Sequence, residues 1–276
     1  MMLEKEEAEL VVLTGTAGTN LKSALEAKGW QLILPPSGGD VTCLMPDGND
    51  PDSPWAIKEV RLAADYALDK EEIAALGKGY WTPTWQLANP KLDFYDSSLT
   101  RSYDPEKAKQ LLADAGYPNG FDTTLYFDPS TPTDFVVAVQ SNLSDVGIRC
   151  EIQTVAINNA FEMIMKGWHN GCFGIPFGLR PNFMEGVQRY LDIHRIMFVS
   201  ILNTPELQEY IDSGLRARTA EEQSELNAQV VKYIFDNELI IPVYRINSIG
   251  VIAPYVHGVD FISTILWAPE KAWLSK

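Results

Sequence analysis

Between Pro105 and Phe127 the apolar residues change from a helical to an extended period. Ala108, Leu111, Leu112 and Ala115 recur at i, i+3, i+4 and i+7, on one helix face. Asp104 stands where an N-cap belongs, Pro105 at the first helical position, and Glu106 in the first turn, where negative charge suits the helix dipole. Gly116 closes the helix, Pro118 and Gly120 turn the chain, and Phe121, Thr123, Leu125 and Phe127 alternate as a strand. The pattern repeats downstream. Phe135, Val136, Val139, Leu143 and Val146 predict a helix over 133–146 ended by Gly147. A strand over 149–155 and a helix over 159–166 follow. This alternation predicts an α/β fold, a mixed sheet flanked by helices with crossover connections.

The remaining chain reads in the same way. Strands are expected at 9–13, 30–34 and 41–44, with a helix over 20–28 between the first two. Ser53 and Pro54 open a helix with Ile57, Val60, Ala64 and Ala67 or Leu68 inward. It breaks near Asp69, which caps a second helix running to Gly77. Residues 79–96, GYWTPTWQLANPKLDFYD, are a long aromatic loop; its rings either pin it to the core or line a cleft. Thr204 and Pro205 start a helix to Arg216, and Thr219 with Glu222 forms a capping pair for another that ends near Glu238. LIIPVYR is an apolar strand whose Pro242 predicts an edge or a bulge, and 248–253 pairs with it or follows it.

Composition narrows the function. The 276 residues carry a formal charge of −15, which argues against nucleic acid and anionic membrane surfaces as partners. No apolar run approaches the ~20 residues of a membrane helix. The N-terminus, MMLEKEEAEL, has no signal-peptide pattern, so the protein is cytosolic or its export signal has been removed. Cys43, Cys150 and Cys172 are too widely spaced for a disulfide or zinc framework and read as buried thiols. The loop MPDGNDPDSP resembles a calcium loop only superficially, because Pro51 falls where an oxygen ligand is needed. There is no metal-binding histidine pair, nucleophile elbow or phosphate loop. The sequence therefore predicts neither an enzyme nor a cofactor site. His169, beside Trp168, is the best pocket candidate.

Four stretches carry a resemblance. These are EVRLAADYALDKEEI, YDPEKAKQLLADAGYPNGF, VAVQSNLSDVGIRCEI and the E-x-x-x-I-P-V-Y around Pro242. In this order they resemble the bacterial extracellular solute-binding proteins of family 5, the peptide- and nickel-type binding components of ABC importers. The resemblance implies a periplasmic-binding-protein-like (type II) lobe. Residues 41–254 would form the second lobe, 1–40 a crossover from the first, and 255–276 a return toward it. Implied partners are a small-molecule or peptide solute, the ABC transporter membrane subunits and a missing N-terminal lobe. The implied location is periplasmic or extracellular, through a lipoprotein anchor on the full-length protein. The alternative is a cytoplasmic ligand-sensing domain of a transcription regulator.

The expected ligand-binding residues are Tyr80, Trp81 and Trp85 in the aromatic loop, and Trp168, His169, Phe173, Phe177 and Arg180 in WHNGCFGIPFGLRPNF. Peptide-binding members of the resembled family hold the ligand's amino terminus with an aspartate in this second region. Here no acidic residue precedes Glu185. Arg180 suits a carboxylate- or phosphate-bearing ligand, or a solvated surface position.

Overall fold

A computed structural model describes residues 8–13, 25, 27–33, 40–178, 182–246, 249–261 and 267–275. Arg180 and most of the helix expected over 20–28 lie outside the described residues. The strands are β1 (Leu10–Leu13), β2 (Gln31–Ile33), β3 (Val41–Pro46), β4 (Trp81–Pro83), β5 (Phe121–Phe127), β6 (Ile148–Thr154), β7 (Gly171–Phe177), β8 (Ile241–Ile246) and β9 (Ile249–Ile252). Four two-residue strands follow: β10 (Val256–His257), β11 (Asp260–Phe261), β12 (Trp267–Ala268) and β13 (Trp273–Leu274). The helices are α1 (Lys58–Ala67), α2 (Lys70–Ala75), α3 (Pro105–Asp114), α4 (Thr133–Asp145), α5 (Ile157–Lys166), α6 (Phe183–Leu191), α7 (Pro205–Arg216) and α8 (Ala220–Asn237).

Among the described residues six strands form one mixed sheet in the order β4-β8-β3-β7-β5-β6. β5 runs parallel to β6 and β7, and β3 runs antiparallel to β7 and β8. The chain crosses from β5 to β6 through α4 on one face. It returns over β5 to β7 through α5 on the other, because right-handed crossovers in opposite directions must use opposite faces. The side chains of β3 alternate accordingly. Leu44 enters a core shared with α1, α3 and α4, while Val41, Cys43 and Met45 enter a second core shared with α5, α6, α7 and α8. The result is a three-layer body with β3 fully buried.

Local chemistry sets the boundaries. Asp104, Asp69, Thr204 and Thr219 each accept a backbone N–H in the first turn of their helices. Glu222 accepts the Arg218 N–H, adding a second bond at that start. Gly120 and Gly147 meet at the entrances of β5 and β6 with φ of +69° and +95°, and a Cβ on Gly120 would overlap the Gly147 carbonyl.

The structure decides between the alternatives left open for 240–253, in favour of a bulge at Pro242 and of a following strand, and adds one element. β8 is not an edge strand but lies between β4 and β3; a bulge opposite Thr42 and Cys43 accommodates Pro242, which has no N–H to donate. β9 pairs with β1 and β2 in a separate three-stranded antiparallel sheet, not with β8. The aromatic loop contains the short strand β4.

The layers converge on a buried charge cluster. Arg101 sits between Asp65 of α1 (3.1 Å) and Glu238 at the end of α8 (2.6 Å), and it donates to the Phe235 carbonyl at 2.6 Å. Its guanidinium lies 3.7 Å from the Phe235 ring centroid. Lys70 pairs with the other oxygen of Asp65. Arg61 donates to the carbonyls of Trp55, Ala56, Asn237 and Glu238. Burial raises the Glu238 carboxyl well above its ordinary value, with Asp65 adding to the effect. Arg101→Ala would leave Glu238 buried without its cation, so it should lose about 3–5 kcal/mol in urea unfolding. A loss under about 1 kcal/mol would show that the cluster does not hold the layers together.

Candidate functional site

Two connections join the terminal sheet to the six-stranded one: β2 to β3, and β8 to β9. The strand residues that flank them are paired: Ile33 with Gly250 in one sheet, and Val41 with Arg245 in the other. The Ile246 N–H donates to the Asp40 carbonyl at 2.9 Å, fastening the two where they leave the larger sheet. This end of the sheet also carries Trp81 opposite Ile246 and Phe177 opposite Val41. The parallel strands β5, β6 and β7 point their C-terminal ends the same way, with Phe127 level with both Thr154 and Gly174. In open α/β sheets ligands collect outside such strand ends.

The structure sorts the sequence-expected residues into different places. Trp81 lies at this end but is buried, stacked on Tyr244 at 4.1 Å and edge-on to Phe135. Tyr80 is buried beside it in the same core. Phe177 is buried in the opposite core against Tyr190, with ring centroids 4.4 Å apart. Phe173 is buried in mid-strand between Tyr126 and Trp168. Trp85 is half-buried, with the Lys70 ammonium 5.7 Å from its ring, and the chain there has already turned away from the strand ends. Trp168 and His169 precede β7 and so stand at the far end of the sheet. Seven residues of strand span roughly 20 Å, so Trp168 and Phe177 cannot edge the same opening.

Sequence reading passed over two residues that build the strand-end face. Tyr190 on α6 accepts the Gly178 N–H at 3.2 Å and donates to the Pro176 carbonyl at 3.4 Å, fixing the exit of β7. The signal for α6 was present: Asn182 caps it by accepting the Met184 N–H, and Phe183, Val187, Tyr190 and Leu191 are spaced for one face. Arg245 is the second. It is buried and donates to the Ala88 carbonyl at 2.7 Å, and burial lowers its pKa to about 10. Residues 171–178 carry no charged side chain.

Residues 2–186 match the bacterial extracellular solute-binding proteins, family 5 Middle. The chain belongs to that family. The glutathione-binding protein GsiB of Escherichia coli K12 is 35% identical over 118 residues, covering 41% of this chain and 23% of GsiB. The periplasmic binding protein DppA from Helicobacter pylori, solved with the peptide STSA, matches 100% of this chain and 54% of its own, with a TM-score of 0.82 at 20% identity. NikA from Staphylococcus aureus, solved with Ni(L-His)2, has a TM-score of 0.77 at 18% identity, over 95% of this chain and 56% of NikA. The chain thus spans about a quarter of the curated relative and just over half of each of these two solved chains. At those identities the solved chains establish the fold alone.

On this family 5 sheet, a groove of about 480 Å³ runs along α5 over the β5–β6 surface, from Gln153 and Thr154 at the C-terminal end of β6, past Tyr126, Asn159 and Met163, to Trp168 and His169 at the far end. His169 is exposed, with Nδ1 3.5 Å from Asp50. No cluster of metal-ligating side chains occurs among the described residues. Behind this end lies Asp47, fully buried, accepting the Ser53 hydroxyl proton at 2.8 Å. Burial raises its pKa to about 6, opposed by the Ser53 hydroxyl and the Gly171 and Asn170 amides.

Two outcomes follow. Because Asp47 holds its proton more tightly folded than unfolded, its contribution to stability falls as pH rises from about 4 to about 6 and stays lower above. Asp47→Asn removes that fall. Whatever its constant offset, its stability relative to the parent should grow by up to about 3 kcal/mol between pH 4 and 7. A pH-independent difference in chemical denaturation would refute the assignment. Truncating the buried rings is the second test. Trp81→Ala and Phe173→Ala should each destabilise the fold by about 3–5 kcal/mol, as lost core aromatics do. Unchanged melting temperatures would instead place the rings outside the core.

Proposed function

We propose that this chain is the second lobe of a solute-binding protein serving an ABC importer, together with the strands that cross to its first lobe. The single observation that carries the reading is the pair of adjacent connections beside the C-terminal ends of β5, β6 and β7. Two adjacent strand connections allow one body to rotate on the other, and the strand ends supply a face that such rotation would close. Family membership supports the same reading. We place the lobe boundary between Ile246 and Ile249, earlier than the 254 expected from sequence, because β9 already belongs to the terminal sheet.

The ligand would lie over the β7 exit and the start of β4, with Tyr80, Trp81 and Phe177 as the packed floor beneath it. Residues 171–178 offer no carboxylate to hold an amine, so this lobe contributes burial and hydrogen bonds rather than an ionic anchor from that strand. The solute class spans what the relatives' names carry: peptide, glutathione or a nickel complex. Function involves no catalytic step. A solute with higher affinity for the closed arrangement shifts the lobes toward it, and that form engages the importer. The complete protein would act outside the cytoplasmic membrane, held there by a lipid anchor.

Titration calorimetry with short peptides, glutathione and nickel–histidine tests this on the complete protein and on the 276-residue chain. One of these solutes should bind the complete protein at least about 100-fold more tightly, since half a cleft cannot enclose most of a ligand. Equal affinity in the two would overturn the two-lobe reading.

A further inference from the structure

Three dipeptides of the chain can close a succinimide ring: Asp47–Gly48, Asn119–Gly120 and Asn170–Gly171. In each, glycine has no side chain to shield the backbone nitrogen that must attack the neighbouring Cγ atom. Hydrogen bonds to that nitrogen, and burial around it, oppose the ring. Folding treats the three differently.

Asp47 is fully buried and accepts the Ser53 hydroxyl proton at 2.8 Å, and a Cβ on Gly48 would lie 3.2 Å from the Trp55 carbonyl oxygen. An ionised carboxyl is also a poor electrophile. Asn170 is exposed but tied down. Its side-chain amide donates to the Asp122 carbonyl at 3.3 Å, and its own carbonyl accepts the Thr124 N–H at 3.0 Å and the Thr123 hydroxyl at 2.9 Å. Gly171 is buried as the first residue of β7. Its carbonyl accepts the Asp47 N–H at 3.0 Å, and its N–H is turned toward the Asp47 carboxyl. Asn119, by contrast, is exposed at the third position of a turn that the Gly120 N–H closes on the Tyr117 carbonyl at 2.9 Å. Opening that turn frees the nitrogen without opening a strand, because β5 begins at Phe121.

We propose that Asn119 is a site of spontaneous covalent modification, converted to aspartate and isoaspartate, and that isoaspartate there loosens β6 from the sheet. The Gly120 nitrogen gives its proton to hydroxide and attacks the Asn119 Cγ. The bond from Cγ to the side-chain nitrogen breaks, and ammonia leaves with a proton taken from water. Water then opens the ring, at one carbonyl to give aspartate and at the other to give isoaspartate, whose main chain is one carbon longer. That carbon enters where Gly120 lies against Gly147 and where the Phe121 N–H donates to the Gly147 carbonyl at 3.1 Å. Arg149 spans the same junction, donating to the Asn119 carbonyl at 3.0 Å and to Asp122 at 2.7 Å. A lengthened chain cannot keep these bonds in register. β6 is the outer strand and pairs with β5 alone among the described residues, so nothing on its other edge compensates.

The test incubates the complete protein in mildly alkaline buffer, folded and in strong denaturant. Mass spectrometry follows the peptides that carry Asn119 and Asn170, and an isoaspartate-specific methyltransferase gives a second readout. In the folded protein Asn119 should convert at least about tenfold faster than Asn170, the least that one further hydrogen bond to a charged group is worth. In denaturant the two should convert at like rates, since each precedes glycine. Equal rates in the folded protein, or conversion of Asn119 in denaturant only, overturns the proposal. Asn119→Ser should abolish the change in its own peptide and leave Asn170 as it was. Hydrogen exchange across 148–154 should quicken in the aged parent and not in the aged variant; unchanged exchange there overturns the effect on β6.

Discussion

Strand β3 is the constraint on which the rest of the structure depends. It is bonded on both edges, to β7 and to β8, and it is covered on both faces. Its alternating side chains divide the protein into two cores, so the helices that enter each are fixed by one strand's pleat. Its first residue also marks where the chain arrives from the terminal sheet, next to where β8 leaves for it.

The charge cluster around Glu238 shows what holding the layers together requires. Asp65 and Lys70 come from the α1–α2 region, Arg101 from the loop before α3, and Glu238 from the turn between α8 and β8. Burying such groups is unfavourable unless each charge is paired and hydrogen-bonded. The arrangement goes part of the way, spending arginine donors on backbone carbonyls as well as carboxylates, while Glu238 Oε1 has no hydrogen bond among the described residues. An apolar cluster could match its stability but would tolerate many relative positions of α1 and α8. A forked guanidinium between two carboxylates tolerates few.

Much of this was legible in the chain. The capped helix α3, the glycine-closed α4 and the alternating β5 announce themselves locally, because caps, glycine turns and side-chain periods are properties of neighbours in sequence. What sequence missed depends on partners far away. Pro242 marked a bulge correctly but not the strand's place, since a bulge lets proline sit centrally once β4 and β3 flank it. β9 follows β8 by two residues yet pairs with strands more than 200 residues upstream, a choice no local pattern records. The aromatic loop and the β7 segment were read together because both are ring-rich. Folding sends Trp81 and Phe173 into opposite cores instead.

That separation bears on how one fold serves different solutes. Rings that are buried and stacked, as Trp81 is on Tyr244, set the height and rigidity of the strand ends and leave little of themselves to recognise a ligand. Tyr190 does the same from below, tying down the β7 exit through its hydroxyl. On the proposed reading, the recognising groups form a small exposed layer on a floor held by packing. Truncating a floor ring collapses the fold, whereas a change in the layer alters only which solute is favoured, because the packing energy is already satisfied beneath it. Residues 171–178 are buried or half-buried and carry no charge. On the proposed reading, an uncharged strand here removes one ionic preference at no cost to the core, so ligand chemistry can change while the sheet and the buried charges stay as they are.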